Sequence, residues 1–123
     1  MMMNYSETTE FSRDLKRLLK KFPSLNDDLE TVKQYDIELF HLQKINRNGI
    51  FEIENAENNE HLQFFKIKKF ACKSLKGRGS KSGIMVIYAF HCQSCKVEFI
   101  EIYFKGNKEN EDRDRIKEYL KNF

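Results

Sequence analysis

Tryptophan is absent from this 123-residue chain, proline occurs once and glycine five times. So little punctuation leaves most of the length free for regular elements. Cysteine occurs three times, an odd number, and no secretion-like start accompanies it. A disulfide framework is thereby excluded and reduced thiols are expected. No apolar run comes near the roughly 18–20 residues of a membrane span. The opening Met1 to Ser6 lacks the basic-then-apolar order of a signal peptide. A cytoplasmic protein without a membrane partner is expected. What is present is charge, at 33% of residues, and aromatic bulk, with 11 Phe and 5 Tyr. A mean hydropathy of -0.69 makes the chain polar, yet that bulk suffices for a core. The length suits one domain over residues 1–123.

The net charge of +3 is modest, and its distribution is more informative. Between His61 and Lys108 ten basic residues face only Glu98 and Glu101. Such a segment reads as a surface for a polyanion. Upstream, Asp36 to Glu60 reverses the sign, with only Lys44 and Arg47 among six acids.

Periodicity supplies the element order. A short extended start at Met3 to Ser6 precedes Phe11, Leu15, Leu18, Leu19 and Phe22, spaced as on an amphipathic helix that Pro23 ends. The opposite face (Arg13, Lys16, Arg17, Lys20, Lys21) reads as solvated. Ser24 with Asp27 signals the N-cap and acidic first turn of a second helix through Leu29, Val32 and Tyr35. Asn46 to Gly49 and Asn55 to Asn59 read as turns around a short strand at Ile50 to Ile53. Phe64 to Phe70 alternates, with Lys66 and Lys68 on one face and Phe65 and Ile67 on the other. A Gly-, Ser- and Lys-rich loop, Lys76 to Gly83, leads to a strand at Ile84 to Phe90. A hairpin turn at His91 to Cys95 gives the returning strand Val97 to Phe104. Asn110 caps a final helix with the stripe Ile116, Tyr119, Leu120 and Phe123. The pattern predicts an α+β fold, with two N-terminal helices packed on a small antiparallel sheet and a C-terminal helix.

Two constellations carry possible chemistry. Cys92 and Cys95, spaced Cys-x-x-Cys, with His91 and Cys72 as further donors, match the donor types of a zinc site. A structural site usually has two such pairs, however, and His91 and Cys92, being adjacent, point to opposite faces of a strand; no metal is expected. The second constellation is Lys66, Lys68, the loop Lys76-Gly77-Arg78-Gly79 with Lys81, and the later Lys105 and Lys108. Cations converging from adjacent strands suit a phosphate-bearing ligand. Phe64, Tyr88 or Tyr103 offers a face for base stacking. Crowded lysines also depress one another's pKa, which makes a proton acceptor available. The residues alone leave nucleic-acid binding and catalysis equally open.

Four segments in order add a resemblance: Phe65-Lys66-Ile67-Lys68, Gly83-Ile84-Met85-Val86-Ile87-Tyr88, Phe99 to Gly106, and Glu109 to Arg113. Together they resemble the RelE/ParE toxin superfamily of bacterial toxin–antitoxin systems. The resemblance covers nearly the whole chain and is most specific after Gln63. It implies a ribosome-dependent endoribonuclease that cuts mRNA in the decoding site and inhibits translation. The mRNA 2′-hydroxyl attacks the adjacent phosphate with help from basic residues and without a cofactor. By the same resemblance, Lys66 or Lys68 is general base or phosphate clamp. Lys105 and Lys108 fall where the family has a basic residue that stabilises charge or protonates the leaving oxygen. Tyr103 aligns loosely with a stacking tyrosine. The loop cations Lys76, Arg78 and Lys81 are expected to be RNA-binding from their charge alone. The implied partners are a cognate antitoxin, in a hetero-oligomer, and the ribosome with its mRNA.

One position departs from the family pattern. Met85 stands where an arginine is usual, and a thioether cannot clamp a phosphate as a guanidinium does. A weakened or inactivated ribonuclease is one expectation. The other is a ParE-like toxin that inhibits DNA gyrase and needs no catalytic cations.

Overall fold

A computed structural model describes residues 2–45, 49–54 and 56–122. The chain opens with strand β1, Asn4–Glu7. Thr8 then caps helix α1, Thr9–Leu19, its hydroxyl accepting the Phe11 N–H at 3.2 Å. Helix α1 stops short of Phe22, but the Phe22 N–H still reaches the Leu18 carbonyl, so Phe22 stays on the buried face. The basic face of α1 is solvent-exposed, as its spacing predicts.

Helix α2, Leu25–Val32, continues through a π-helical turn at Lys33–Ile37 into α3, Glu38–Leu42. This extension is longer than the periodicity suggests. Ser24 precedes α2 but gives it no side-chain cap. Its hydroxyl instead bonds the buried Asp28 carboxylate at 2.7 Å and accepts the Ser74 N–H at 2.8 Å, stapling the helix start to the loop that precedes Ile84.

The remaining strands are β2 (Ile50–Glu52), β3 (Leu62–Ile67), β4 (Ile84–His91) and β5 (Lys96–Phe104), followed by helix α4 (Arg113–Lys121). The sheet order is β1-β5-β4-β3-β2. The expected antiparallel sheet is corrected here: β1 runs parallel to β5, Asn4 beside Lys96, so the five-stranded sheet is mixed. Only β2 to β5 pair antiparallel. The extended start is thus a strand of the sheet itself. Of the two expected turns, residues 46–48 and 55 lie outside the described residues, as does Phe123 of the last helical stripe.

Each face of the sheet is covered differently. On one, Phe11, Leu25 and Ile37 of the N-terminal helices pack on Ile67, Val86 and Tyr88, all nearly solvent-free. Burial of each large apolar side chain contributes about 1.5–3 kcal/mol. On the other, Ile116 and Tyr119 of α4 pack on Phe64, Ile87, Ala89 and Ile100. A bulge in β5 decides which of its side chains join each set. Ile87 pairs with Glu101 and Tyr88 with Phe99, which leaves Ile100 between them unpaired. The extra residue shifts the alternation by one, so Ile102 joins the first core while Glu101 and Tyr103 turn to the α4 face.

Candidate functional site

Helix α4 covers only part of its face of the sheet, and the charged residues gather at the uncovered end. Strand β3 presents Lys66 there, because Phe65 and Ile67 are spent on the opposite core. Met85 lies on the same face of β4, opposite Tyr103 of β5. Lys68 follows on the same side and is exposed. The sequence reading is right about which face carries the two lysines.

The segment between β5 and α4 then doubles back over this end. Gly106 permits the close turn, since a Cβ there would lie 2.4 Å from the Phe104 ring. The returning chain pairs Lys108 with Glu101, a carboxylate only 2% exposed. Glu101 also accepts the Asp112 N–H at 2.8 Å. Glu111 accepts from the Lys66 ammonium at 2.7 Å and from Arg113 Nε at 2.9 Å. Asp112, not the expected Asn110, caps α4 by accepting the Asp114 N–H at 3.0 Å, because the residues before it are drawn onto the sheet.

These contacts set the charge states. Burial acts to lower the Lys66 pKa, but Glu111 and the adjoining Tyr103 outweigh it and hold the ammonium above its ordinary value. Burial acts to raise the Glu111 carboxyl, and the bond to Lys66 reverses that, leaving it below its ordinary value. The expectation of crowded lysines with depressed pKa therefore fails at Lys66, whose nearest charge is a carboxylate. A protonated Lys66 suits a phosphate clamp and not a general base.

The stacking residues are also corrected. Phe64 and Tyr88 are fully buried, one in each core, and Tyr103 is 5% exposed. At that burial the Tyr103 ring offers a base no platform, and the Lys66 and Lys108 ammonium groups lie 5.6 and 5.5 Å from its centre. Its hydroxyl is buried without a hydrogen-bond partner among the described residues. Burial raises its pKa, and Lys66 offsets part of the rise.

Lys76, Arg78 and Lys81 stand exposed on the loop before β4, and Lys105 is exposed just after β5. The Lys105 N–H bonds the Gly83 carbonyl at 2.8 Å, which ties the β5 exit to the end of that loop. No contact joins these four side chains to Lys66. The zinc donors are not gathered. Cys72 is buried beside Ser24, and His91 bonds the Tyr119 hydroxyl at 2.6 Å. Among the described residues no group of three or more His, Cys, Asp or Glu could hold a metal ion.

Sequence reasoning missed Glu101 and Glu111 because it weighed acids by local density, whereas both act across the fold. It also missed Phe51, an exposed aromatic on the edge strand β2. The signal for Phe51 was its place between Ile50 and Ile53, which leaves it on the face away from the first core.

Among solved structures, the chain is similar to one from the RelE–RelB complex of the archaeon Pyrococcus horikoshii. The match covers 86% of this chain and 98% of that one, with a TM-score of 0.54 and 11% sequence identity. At that identity the likeness is one of fold, and the fold is RelE-like. No protein-family model matches the chain, and no curated protein matches it. No helix among the described residues is long and apolar enough to cross a membrane.

Proposed function

We propose that this chain, as a single domain over residues 1–123, is the toxin of a toxin–antitoxin pair, and that it cleaves mRNA on the ribosome in the cytoplasm. One observation carries the reading: β3, β4 and β5 of a RelE-like fold present Lys66, Met85 and Tyr103 together on one face, with Lys68 and Lys108 beside them. In the reaction the 2′-oxygen of a nucleotide attacks the adjacent phosphorus. The 2′-hydroxyl gives its proton to water, the P–O5′ bond breaks, and the departing 5′-oxygen takes a proton from water, leaving a 2′,3′-cyclic phosphate and a 5′-hydroxyl. Charge grows on the non-bridging oxygens, where Lys66 and Lys108, both cations, stabilise it. Lys68 and Lys105, with the loop cations Lys76, Arg78 and Lys81, supply diffuse attraction for the RNA backbone.

Two features slow this chemistry. The phosphate has to replace the Glu111 carboxylate at Lys66, and Met85 adds no donor where a guanidinium would grip two oxygens. The cognate antitoxin is read as a partner that docks on this charged end, in a hetero-oligomer like the RelE–RelB complex.

A second reading, a ParE-like inhibitor of DNA gyrase, is favoured by the missing donor at Met85 and by the carboxylates of the chain that neutralise Lys66 and Lys108. One paired assay separates them: primer extension on a reporter mRNA with and without ribosomes, and supercoiling by gyrase. The ribonuclease reading expects ribosome-dependent cuts and unaffected gyrase. Intact mRNA with blocked supercoiling would overturn it in favour of the inhibitor.

A further inference from the structure

We infer that Phe51 and Lys68 form a nucleotide subsite, in which an unpaired RNA base stacks on the Phe51 ring while Lys68 meets its phosphate. The inference rests on the RNA-directed reading above and names the part of the surface that senses a base.

Three observations carry it. Phe51 is 42% exposed, while the other aromatic rings on the α4 face of the sheet, Phe64 and Tyr103, are buried. Its register partner is Lys66, so the ring stands on the same face as the charged cluster, one strand spacing of about 4.8 Å away. The Lys68 ammonium lies 4.7 Å from the ring centre, and among the described residues no carboxylate pairs with it.

The physical balance follows from these contacts. A large apolar ring in water gains by being covered, and a flat base covers it with little ordering cost, because Phe51 is already fixed in a strand. Lys68 is the cation of the cluster that a phosphate reaches without displacing a carboxylate, unlike Lys66 and Lys108. The exposed ring and an ammonium that no carboxylate of the described residues holds thus offer both halves of a nucleotide a partner. Stacking is indifferent to base identity, so the subsite holds the strand without reading its sequence.

The test uses a fluorescein-labelled single-stranded RNA of about ten nucleotides, 2′-O-methylated so that it cannot be cut, and long-chain inorganic polyphosphate as a probe with charge but no bases. Phe51→Leu, which keeps an apolar side chain but no ring, is expected to weaken the RNA roughly fivefold or more and to leave polyphosphate affinity unchanged. Lys68→Ala is expected to weaken both probes. Phe51→Trp is expected to retain affinity, and its indole, the sole one in the chain, to be quenched as RNA binds. Equal RNA affinity for Phe51→Leu and the parent chain, or equal weakening of both probes, overturns the subsite while leaving the RNA reading intact. A parent chain that binds polyphosphate but no RNA better than its charge warrants overturns both.

Discussion

Lys66 Nζ and Glu111 Oε1 meet at 2.7 Å, with side chains only 13% and 10% exposed, so a cation near the end of β3 is tied to the segment that leads into α4. Removing either partner leaves the other charge poorly solvated. Glu111→Gln is expected to cost about 2 kcal/mol, between the values for exposed and fully buried pairs. It should also strengthen binding of polyphosphate severalfold, because the anion no longer competes with an internal carboxylate. Thermal denaturation and probe titration check the two effects together.

The same pair sets a pH window. The Glu111 carboxyl is held below its ordinary 4.5, so its stabilisation is present above that pH and lost as pH falls through the lowered folded value. Lys66 is held above 10.5, so its contribution is complete below that pH and lost as pH rises through the raised value. Melting temperature plotted against pH should fall at the acid end less steeply in Glu111→Gln than in the parent chain. Parallel curves would show that the pair is not linked to acid stability.

His41 makes a separate acid-sensitive point on the other face. It stacks on Phe90 at 4.0 Å and sits 2.8 Å from the Tyr88 hydroxyl, and burial lowers its pKa from 6.5 to about 4. Unfolded chain takes up the proton first as pH drops, so stability declines from about pH 6.5 down to about 4, by at most about 3.5 kcal/mol at about 1.4 kcal/mol per unit. An NMR titration of the His41 ring in the folded protein should show no protonation at pH 6. A midpoint near 6.5 would contradict the burial argument.

Helix α4 is fastened to α1 by Arg115, whose guanidinium grips Asp14 at 2.5 and 3.1 Å. Asp14 is buried and also accepts the Ile102 N–H at 3.4 Å. Asp14→Ala is expected to cost about 3 kcal/mol, since it strands a half-buried guanidinium. Arg115→Lys should lose less, because one of the two bonds survives. Urea denaturation of both variants gives the comparison.

Met85→Arg places a guanidinium opposite Tyr103, on the face that carries Lys66 and Glu111. If the ribonuclease reading is right, cleavage on ribosomes should rise on the order of 100-fold, and Lys66→Ala in the same background should abolish the gain. Unchanged cleavage in a variant of unchanged melting temperature would remove arginine at this position from the mechanism.

Local signals made most elements legible. The spacing of Phe11, Leu15 and Leu18 defined α1, and the alternation around Phe65 and Ile67 put Lys66 on the far face. Long-range facts stayed hidden. Nothing local distinguishes Asn4 to Glu7 as a strand parallel to β5, because its partner lies some ninety positions away. The bulge at Ile100 is visible only as two consecutive apolar residues, Phe99 and Ile100, a pattern that fits a buried strand equally well. The candidate site suffered most from this, since whether a lysine is free depends on the carboxylates that the fold delivers to it.

The parallel pairing of β1 with β5 has a consequence for the timing of synthesis. The first strand waits for Lys96 to Phe99 before it has anywhere to go, and such distant pairings close slowly. At translation rates of about 5–20 residues per second, a growing chain spends several seconds as helices and unfinished sheet. During that interval Tyr103, Lys108 and Glu111 have yet to be made, so no nascent form displays the assembled cation cluster.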